Sequence, residues 1–164
     1  MNTHSEQNNI RVLIADDDEY VLAAYRDAFG EPEPTQQMRA LDALTAELFE
    51  PRAEPEDEPH FDVVACSQGA DAISIARRAA RDGQPFDVVI LDVRMPPGID
   101  GVEAGSRIRE LDPDVEIVFV TGYSDVPIEE LQRRVPPPMK LHYFSKPLSF
   151  TQLAQDVAHM VRSH

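Results

Sequence analysis

Basic residues are scarce in this chain. Fifteen lysines and arginines stand against thirty aspartates and glutamates, giving a formal net charge of -15 at pH 7. A surface that grips nucleic acid or an anionic membrane needs a basic face, so neither is an expected direct partner. Acidity of this size keeps a protein soluble, and it also suits a site for a divalent cation. Cysteine occurs once, at Cys66, which excludes a disulfide or a thiolate zinc site within the chain. It ends the apolar run "FDVVAC" and reads as a small core hydrophobe, not a reactive thiol. Tryptophan is absent. No apolar run approaches the ~20 residues of a membrane-spanning helix. The start "MNTHSEQNNI" is polar, without the apolar region of a secretory signal. A soluble, cytoplasmic protein with no membrane insertion is expected. What is present, 164 residues at 42% hydrophobic and 27% charged, suffices for one domain with a proper core.

Five short apolar runs recur: "IRVLIA" (10–15), "FDVVAC" (61–66), "FDVVIL" (86–91), "VEIVFV" (115–120) and "LHYFS" (141–145). Each is strand-length, and the first four show little strict alternation, as strands covered on both faces do. Helical patterns lie between and after them, over 18–29, 70–81, 101–111, 127–135 and 150–161. The first places Val21, Leu22, Tyr25, Ala28 and Phe29 on one stripe before Gly30. The last follows Ser149 with Gln152 three residues on, the spacing of a capping box. Strand and helix thus alternate five times, which predicts an α/β domain with a parallel sheet and right-handed crossovers.

One segment breaks the rhythm. Thirty residues separate Gly30 from Phe61, where such a connection needs only a few. Its ends are rich in proline and glutamate, while Met38, Leu41, Leu44, Leu48 and Phe49 recur at helical spacing. An extra amphipathic helix over about 35–49 is expected. Its apolar stripe either folds back on the domain or offers a dimer or partner surface. Following a helix that runs back from the carboxyl edge, it should emerge at the opposite end of the sheet.

Open parallel sheets bind ligands beyond the carboxyl ends of their strands. Asp16 and Asp17 follow the first strand, Asp92 the third, Thr121 the fourth and Lys146 the fifth. Alone, each has an ordinary explanation: a helix cap, a turn, a satisfied backbone group, a solvated charge. Together at consecutive strand ends they are hard to explain that way. Clustered carboxylates need a counter-charge, and an all-oxygen ligand set selects a hard cation such as Mg²⁺. Lys146 and Thr121 would offer a positive charge and a hydroxyl donor to phosphoryl oxygens, leaving Asp92 as the nucleophile. Asp18 and Glu19 fit the first turn of the following helix, whose positive end favours them. The five histidines, His4, His60, His142, His159 and His164, show no metal-ligand spacing, and none sits in a helical phosphotransfer context.

The motifs "VLIADDDE", "VVILDVRMPPGIDG", "IVFVTGYSD" and "YFSKPLS", in this order, resemble the receiver domain of two-component response regulators. The resemblance runs from Val12 to Val161 apart from 31–60. It implies a flavodoxin-like, doubly wound five-stranded parallel sheet of order 2-1-3-4-5 with five helices, to which the insertion adds one. The domain would span 10–162, behind a flexible tail of residues 1–9. The resemblance further implies that Asp92 accepts a phosphoryl group from a histidine kinase or histidine phosphotransfer domain in a Mg²⁺-dependent reaction. Asp17 and Asp92 would ligate the ion directly, Asp16 through water, and the backbone carbonyl of Arg94 would complete the protein ligands. Thr121 and Tyr143 would form the switch pair, Lys146 would pair with the phosphate, and the Lys146–Pro147 bond would be cis.

Two departures stand out. "MPPGIDG" is one residue longer than the common form of this loop, and the 31–60 insertion resembles that of receivers at the amino end of longer proteins such as sensor kinases and cyclic-dinucleotide enzymes. Arg94 and Tyr123 would flank the path of hydrolytic water, and their bulk predicts a long-lived phosphorylated form. The domain is expected to catalyse only its own phosphorylation and slow dephosphorylation. A related Asp-nucleophile phosphohydrolase is a second reading, but it wants an aspartate where Arg94 stands. A receiver-like binding or dimerisation module that no longer takes phosphate is a third, and the complete set of five site residues speaks against it. Either a single-domain regulator or part of a longer protein with a fused output domain is expected. Residues 140–164 are the dimer face by resemblance, with the insertion as a rival.

Overall fold

The computed structural model describes residues 9–30, 44, 59–122 and 126–163. In chain order the elements are β1 (Asn9–Ala15), α1 (Glu19–Phe29), β2 (His60–Cys66), α2 (Gly69–Arg81), β3 (Val88–Asp92), α3 (Gly101–Leu111), β4 (Glu116–Thr121) and α4 (Ile128–Arg134). A short 3₁₀ turn (Pro138–Lys140), β5 (Leu141–Ser145) and α5 (Phe150–Arg162) complete them. The five strands form one sheet of order β2-β1-β3-β4-β5, every pair parallel. This is the flavodoxin-like doubly wound arrangement.

Both faces of the sheet are covered, which is why the strands read as continuous apolar runs. Along β1, Leu13 and Ala15 pack toward one face, with Ala72, Ile73, Val102, Ile108 and Leu131 of α2, α3 and α4. Val12 and Ile14 pack toward the other, with Leu22, Tyr25 and Phe29 of α1 and Leu153 and Val157 of α5. The Tyr25 and Phe150 rings meet in a T-shaped contact, with centroids 4.8 Å apart. Burying each such aliphatic side chain contributes about 1.5–3 kcal/mol, so the two helical layers hold the central strands from both sides.

Strand limits match the apolar runs closely except at β3, which begins at Val88 instead of Phe86. Asp87 explains the offset. Its N–H donates to the Arg11 carbonyl at 2.9 Å, and its carboxylate accepts from the Arg11 N–H at 2.9 Å. The chain therefore enters the sheet only at the Val12–Val88 pair. Phe86 is buried ahead of the strand, with the Arg11 guanidinium 4.7 Å from its ring centroid. At the end of β2, Cys66 is half-buried and packs against the first core cluster. Burial pushes its thiol up to about 11, which fits an inert hydrophobe.

Two cap expectations are adjusted. Asp18 is the N-cap of α1, its carboxylate accepting from the Tyr20 N–H at 2.9 Å, and Glu19 alone occupies the first turn. Ser149 caps α5 by accepting from the Gln152 N–H, but the Gln152 amide turns away to Asp156. Only half of the capping box is made. The expected helix over 35–49 lies outside the described residues except for Leu44, which is helical and exposed. The chain re-enters at His60, at the amino edge of the sheet. The expected tail, residues 1–9, is described only at Asn9.

At that same edge the buried Glu116 accepts from His142 at 2.9 Å and lies 3.6 Å from the Lys140 ammonium. Arg109, also buried, reaches the carbonyls of Val115 and Lys140. These polar contacts tie α3, β4 and β5 together at the amino edge.

Candidate functional site

The carboxyl edge collects the acidic and basic side chains, because parallel strands in register end together. Ala15 pairs with Leu91 and Asp92 with Val120, while Thr121 pairs with Ser145. The residues just beyond therefore converge. Asp16, Asp17 and Asp92 each present a carboxylate oxygen, all within 4.8 Å of one another. Asp16 and Asp92 are buried, and Asp17 is exposed.

Asp92, the last residue of β3, is held at both oxygens. Oδ1 accepts from the Arg94 N–H at 3.2 Å, and Oδ2 from the Lys146 ammonium at 3.2 Å. Lys146 also lies 3.6 Å from Asp16 Oδ2. Its placement is set by the backbone: the Lys146 N–H donates to the Thr121 carbonyl at 2.7 Å, and the Lys146–Pro147 bond is cis as expected. Partial burial works against its charge, but Asp16 and Asp92 outweigh that and raise its pKa.

Asp16 is the most constrained member. Oδ1 accepts from the Asp18 N–H at 2.9 Å, closing the turn into α1. Oδ2 is buried with no hydrogen-bond partner among the described residues. Burial pushes its pKa up to about 6, an effect moderated by the Asp18 N–H and by Lys146 and reinforced by Asp92 and Asp17. A buried carboxylate oxygen without a donor, beside two more carboxylates, is under-compensated by one lysine. The donor set is all oxygen, which fits a hard divalent cation.

Three more of the expected site residues are among those described. Thr121 is buried at the end of β4. Tyr143, on β5 opposite Phe119, is half-buried and packs against the first core cluster. Arg94 is exposed, two residues past Asp92. Tyr123 lies outside the described residues. One contact was not singled out from the sequence: the Gln68 amide donates to the Pro96 carbonyl at 3.3 Å. The only signal for it was a glutamine at a helix N-cap, where a shorter side chain is preferred.

The chain belongs to the response regulator receiver domain family, whose model matches residues 42–158, more than half of the chain. The match begins after β1, so Asp16 and Asp17 lie outside it, and the fold is what returns them to Asp92. Among curated relatives, the response regulator receiver protein CpdR of Brucella abortus is 32% identical over 78 residues, 48% of this chain and 62% of CpdR. The sensor kinase CckA of the same organism is 31% identical over 101 residues, 62% of this chain but 10% of CckA. A response regulatory protein of Vibrio cholerae is 32% identical over 114 residues, 70% of this chain and 36% of its own length. The chain thus spans less than two thirds of each of these relatives.

Among solved structures, a response regulator receiver protein from Sinorhizobium medicae superposes with a TM-score of 0.63 at 23% identity, covering 95% of this chain and 97% of that one. The response regulator protein TrrA from Thermotoga maritima, solved in complex with Mg²⁺ and BeF, gives 0.54 at 22% identity, covering 92% and 98%. At these identities the likeness is one of fold. No helix among the described residues is long and apolar enough to cross a membrane.

Proposed function

We propose that this receiver domain is a phosphoryl-accepting switch in a two-component system, with Asp92 as the acceptor. The observation that carries the reading is the position of Asp92 between the Lys146 ammonium on one side and the Asp16–Asp17 pair on the other. A nucleophilic carboxylate so placed has a cation binder and a positive donor within reach of one incoming group.

Asp16, Asp17 and Asp92, with the Arg94 backbone carbonyl, would hold Mg²⁺, Asp16 acting through water. Bound there, the ion would supply positive charge for phosphoryl oxygens as they shift between donor and acceptor. One Asp92 carboxylate oxygen forms the new P–O bond while the bond from phosphorus to the donor breaks, and the leaving group keeps the electron pair. Lys146 follows the charge, pairing first with Asp92 and then with the new phosphoryl oxygens. Thr121 donates its hydroxyl to that group, and the ring of Tyr143 moves inward behind it. This is a population shift driven by one new dianionic group.

The donor is a phosphohistidine on a histidine kinase or phosphotransfer domain. The CckA relative is named a sensor kinase, which is consistent with such a partnership. Turnover of a free substrate is disfavoured, since Arg94 stands where a general acid would be wanted, so the domain acts on its own aspartate and is not otherwise an enzyme. Assembly as a homodimer through 140–164 or 31–60, and fusion to an output domain, belong to the same reading; scattering of the intact and 31–60-deleted forms separates the two faces. The chemistry is tested with acetyl phosphate and Mg²⁺. An acid-stable, alkali-labile label that chelation prevents and Asp92→Asn removes is expected. Labelling that survives either treatment contradicts the proposal.

A further inference from the structure

We infer that Gln68 is a positioning residue for the loop that follows Asp92. This rests on the reading of Asp92 as acceptor and adds a part to it. Gln68 occupies the N-cap of α2, yet its side chain makes no capping hydrogen bond. Asparagine, aspartate and serine cap well because their oxygen is close to the backbone, and a glutamine amide sits one methylene too far out. That length is used elsewhere. Nε2 reaches across to the Pro96 carbonyl at 3.3 Å.

The two segments fit closely around this bond. A β-carbon at Gly98 would lie 3.0 Å from Gln68 Oε1, so the missing side chain lets the amide approach the loop. A β-carbon at Gly69 would lie 3.0 Å from Ile99 Cγ1 and 3.2 Å from the Ile99 carbonyl oxygen. The start of α2 therefore rests on residues 96–99. Val93 and Met95 are anchored in the core, while Pro96–Gly98 are exposed and are joined to Arg94 through Met95. The loop closes where the Gly101 N–H donates to the Val93 carbonyl at 2.8 Å.

Gln68 is also tied to the acidic pair. The Cys66 thiol contacts the Gln68 carbonyl at 3.7 Å, and the Cys66 carbonyl accepts from the Asp16 N–H at 3.2 Å. The end of β2 thus links the strand end that carries Asp16 to the loop that carries Arg94. Gln68 touches none of the reacting atoms. It acts by holding the segment that carries the Arg94 carbonyl, and outer contacts of this kind tune metal affinity.

Two variants test this. Gln68→Met keeps the length and loses the donor. Gln68→Asn keeps an amide and supplies a better cap for α2, but cannot reach Pro96. Both are expected to speed hydrogen exchange at the Gly101 amide of the metal-free protein, whose bond to the Val93 carbonyl closes the loop, with the β3 amides unchanged. Both are expected to weaken Mg²⁺ binding, read by calorimetry, by ~10-fold, the lower end for outer-shell contacts. The metal-free melting temperature of Gln68→Asn should hold or rise, which a purely structural role would not combine with weaker binding. Unchanged exchange at Gly101 in both variants would overturn the inference. If the wild type binds no Mg²⁺, the acceptor reading fails, while the exchange data still decide the role of Gln68.

Discussion

The Lys146 ammonium lies 3.2 Å from Asp92 Oδ2 although their strands, β5 and β3, are separated by β4. Lys146 must reach across the end of β4 to make this pair, and its ammonium also comes within 3.6 Å of Asp16 Oδ2, on the far side of β3. A lysine held this way neutralises part of the acidic cluster, as a cation bound there would also do. Lysine and cation then compete for the same carboxylates. Lys146→Met should therefore bind Mg²⁺ about fivefold more tightly, equivalent to the ~1 kcal/mol of a partly solvated ion pair, yet transmit phosphorylation poorly. Calorimetry of the two proteins reads the first effect; an unchanged or weaker affinity would show that the lysine does not compete.

The run Asp16–Asp17–Asp18 divides by role. Asp18 caps α1, so Asp18→Ala should cost about 1 kcal/mol of stability and leave Mg²⁺ binding largely intact. Asp17→Ala should abolish binding with little loss of stability, because Asp17 is exposed and caps nothing. Urea unfolding and Mg²⁺ titration of both variants check the division, and equal losses of binding would refute it.

The Asp16 carboxyl gives the site a pH dependence. Burial raises its pKa to about 6, above the ~3.9 of an unfolded aspartate. The folded state then holds the proton more firmly than the unfolded chain, so this group's contribution to metal-free stability is present below about pH 4 and is lost as pH rises through 6. Added Mg²⁺ offsets the penalty only where Asp16 is ionised. The rise in melting temperature on adding Mg²⁺ should be larger at pH 7.5 than at pH 5. An equal rise at both would mean that Asp16 is not part of the cation site.

Arg94 bears on how long a signal would last. If its bulk shields the acyl phosphate from water, Arg94→Ala should shorten the lifetime of the phosphorylated form, and Tyr123→Ala should do the same. Decay of labelled protein after removal of the donor measures both. A lifetime unchanged in the two variants would remove any shielding role.

Much of this was legible in the sequence because the information is local and periodic. Apolar runs separated by helical stripes gave the alternation, and strands buried on both faces cannot hide their pattern. The strand-end rule then placed Asp16, Asp17, Asp92, Thr121 and Lys146 on one edge without any distance being known. Side-chain choices between equivalent partners were not legible. Asp18 could cap α1 or sit in its first turn. Asp87 could begin a strand or hold Arg11 outside it. Gln152 could close a capping box or turn to Asp156. The Gln68–Pro96 contact joins segments 28 positions apart, and no periodicity encodes it.

The covalent chemistry of Asp92 is the central claim, and localising the phosphoryl group tests it most directly. Borohydride reduces an aspartyl phosphate to homoserine, marking the residue permanently. After treatment with acetyl phosphate and Mg²⁺, peptide mass spectrometry should find homoserine at position 92 and nowhere else, and Asp92→Asn should carry no mark. A mark at Asp16 or Asp17, or none on the wild type, would contradict the account.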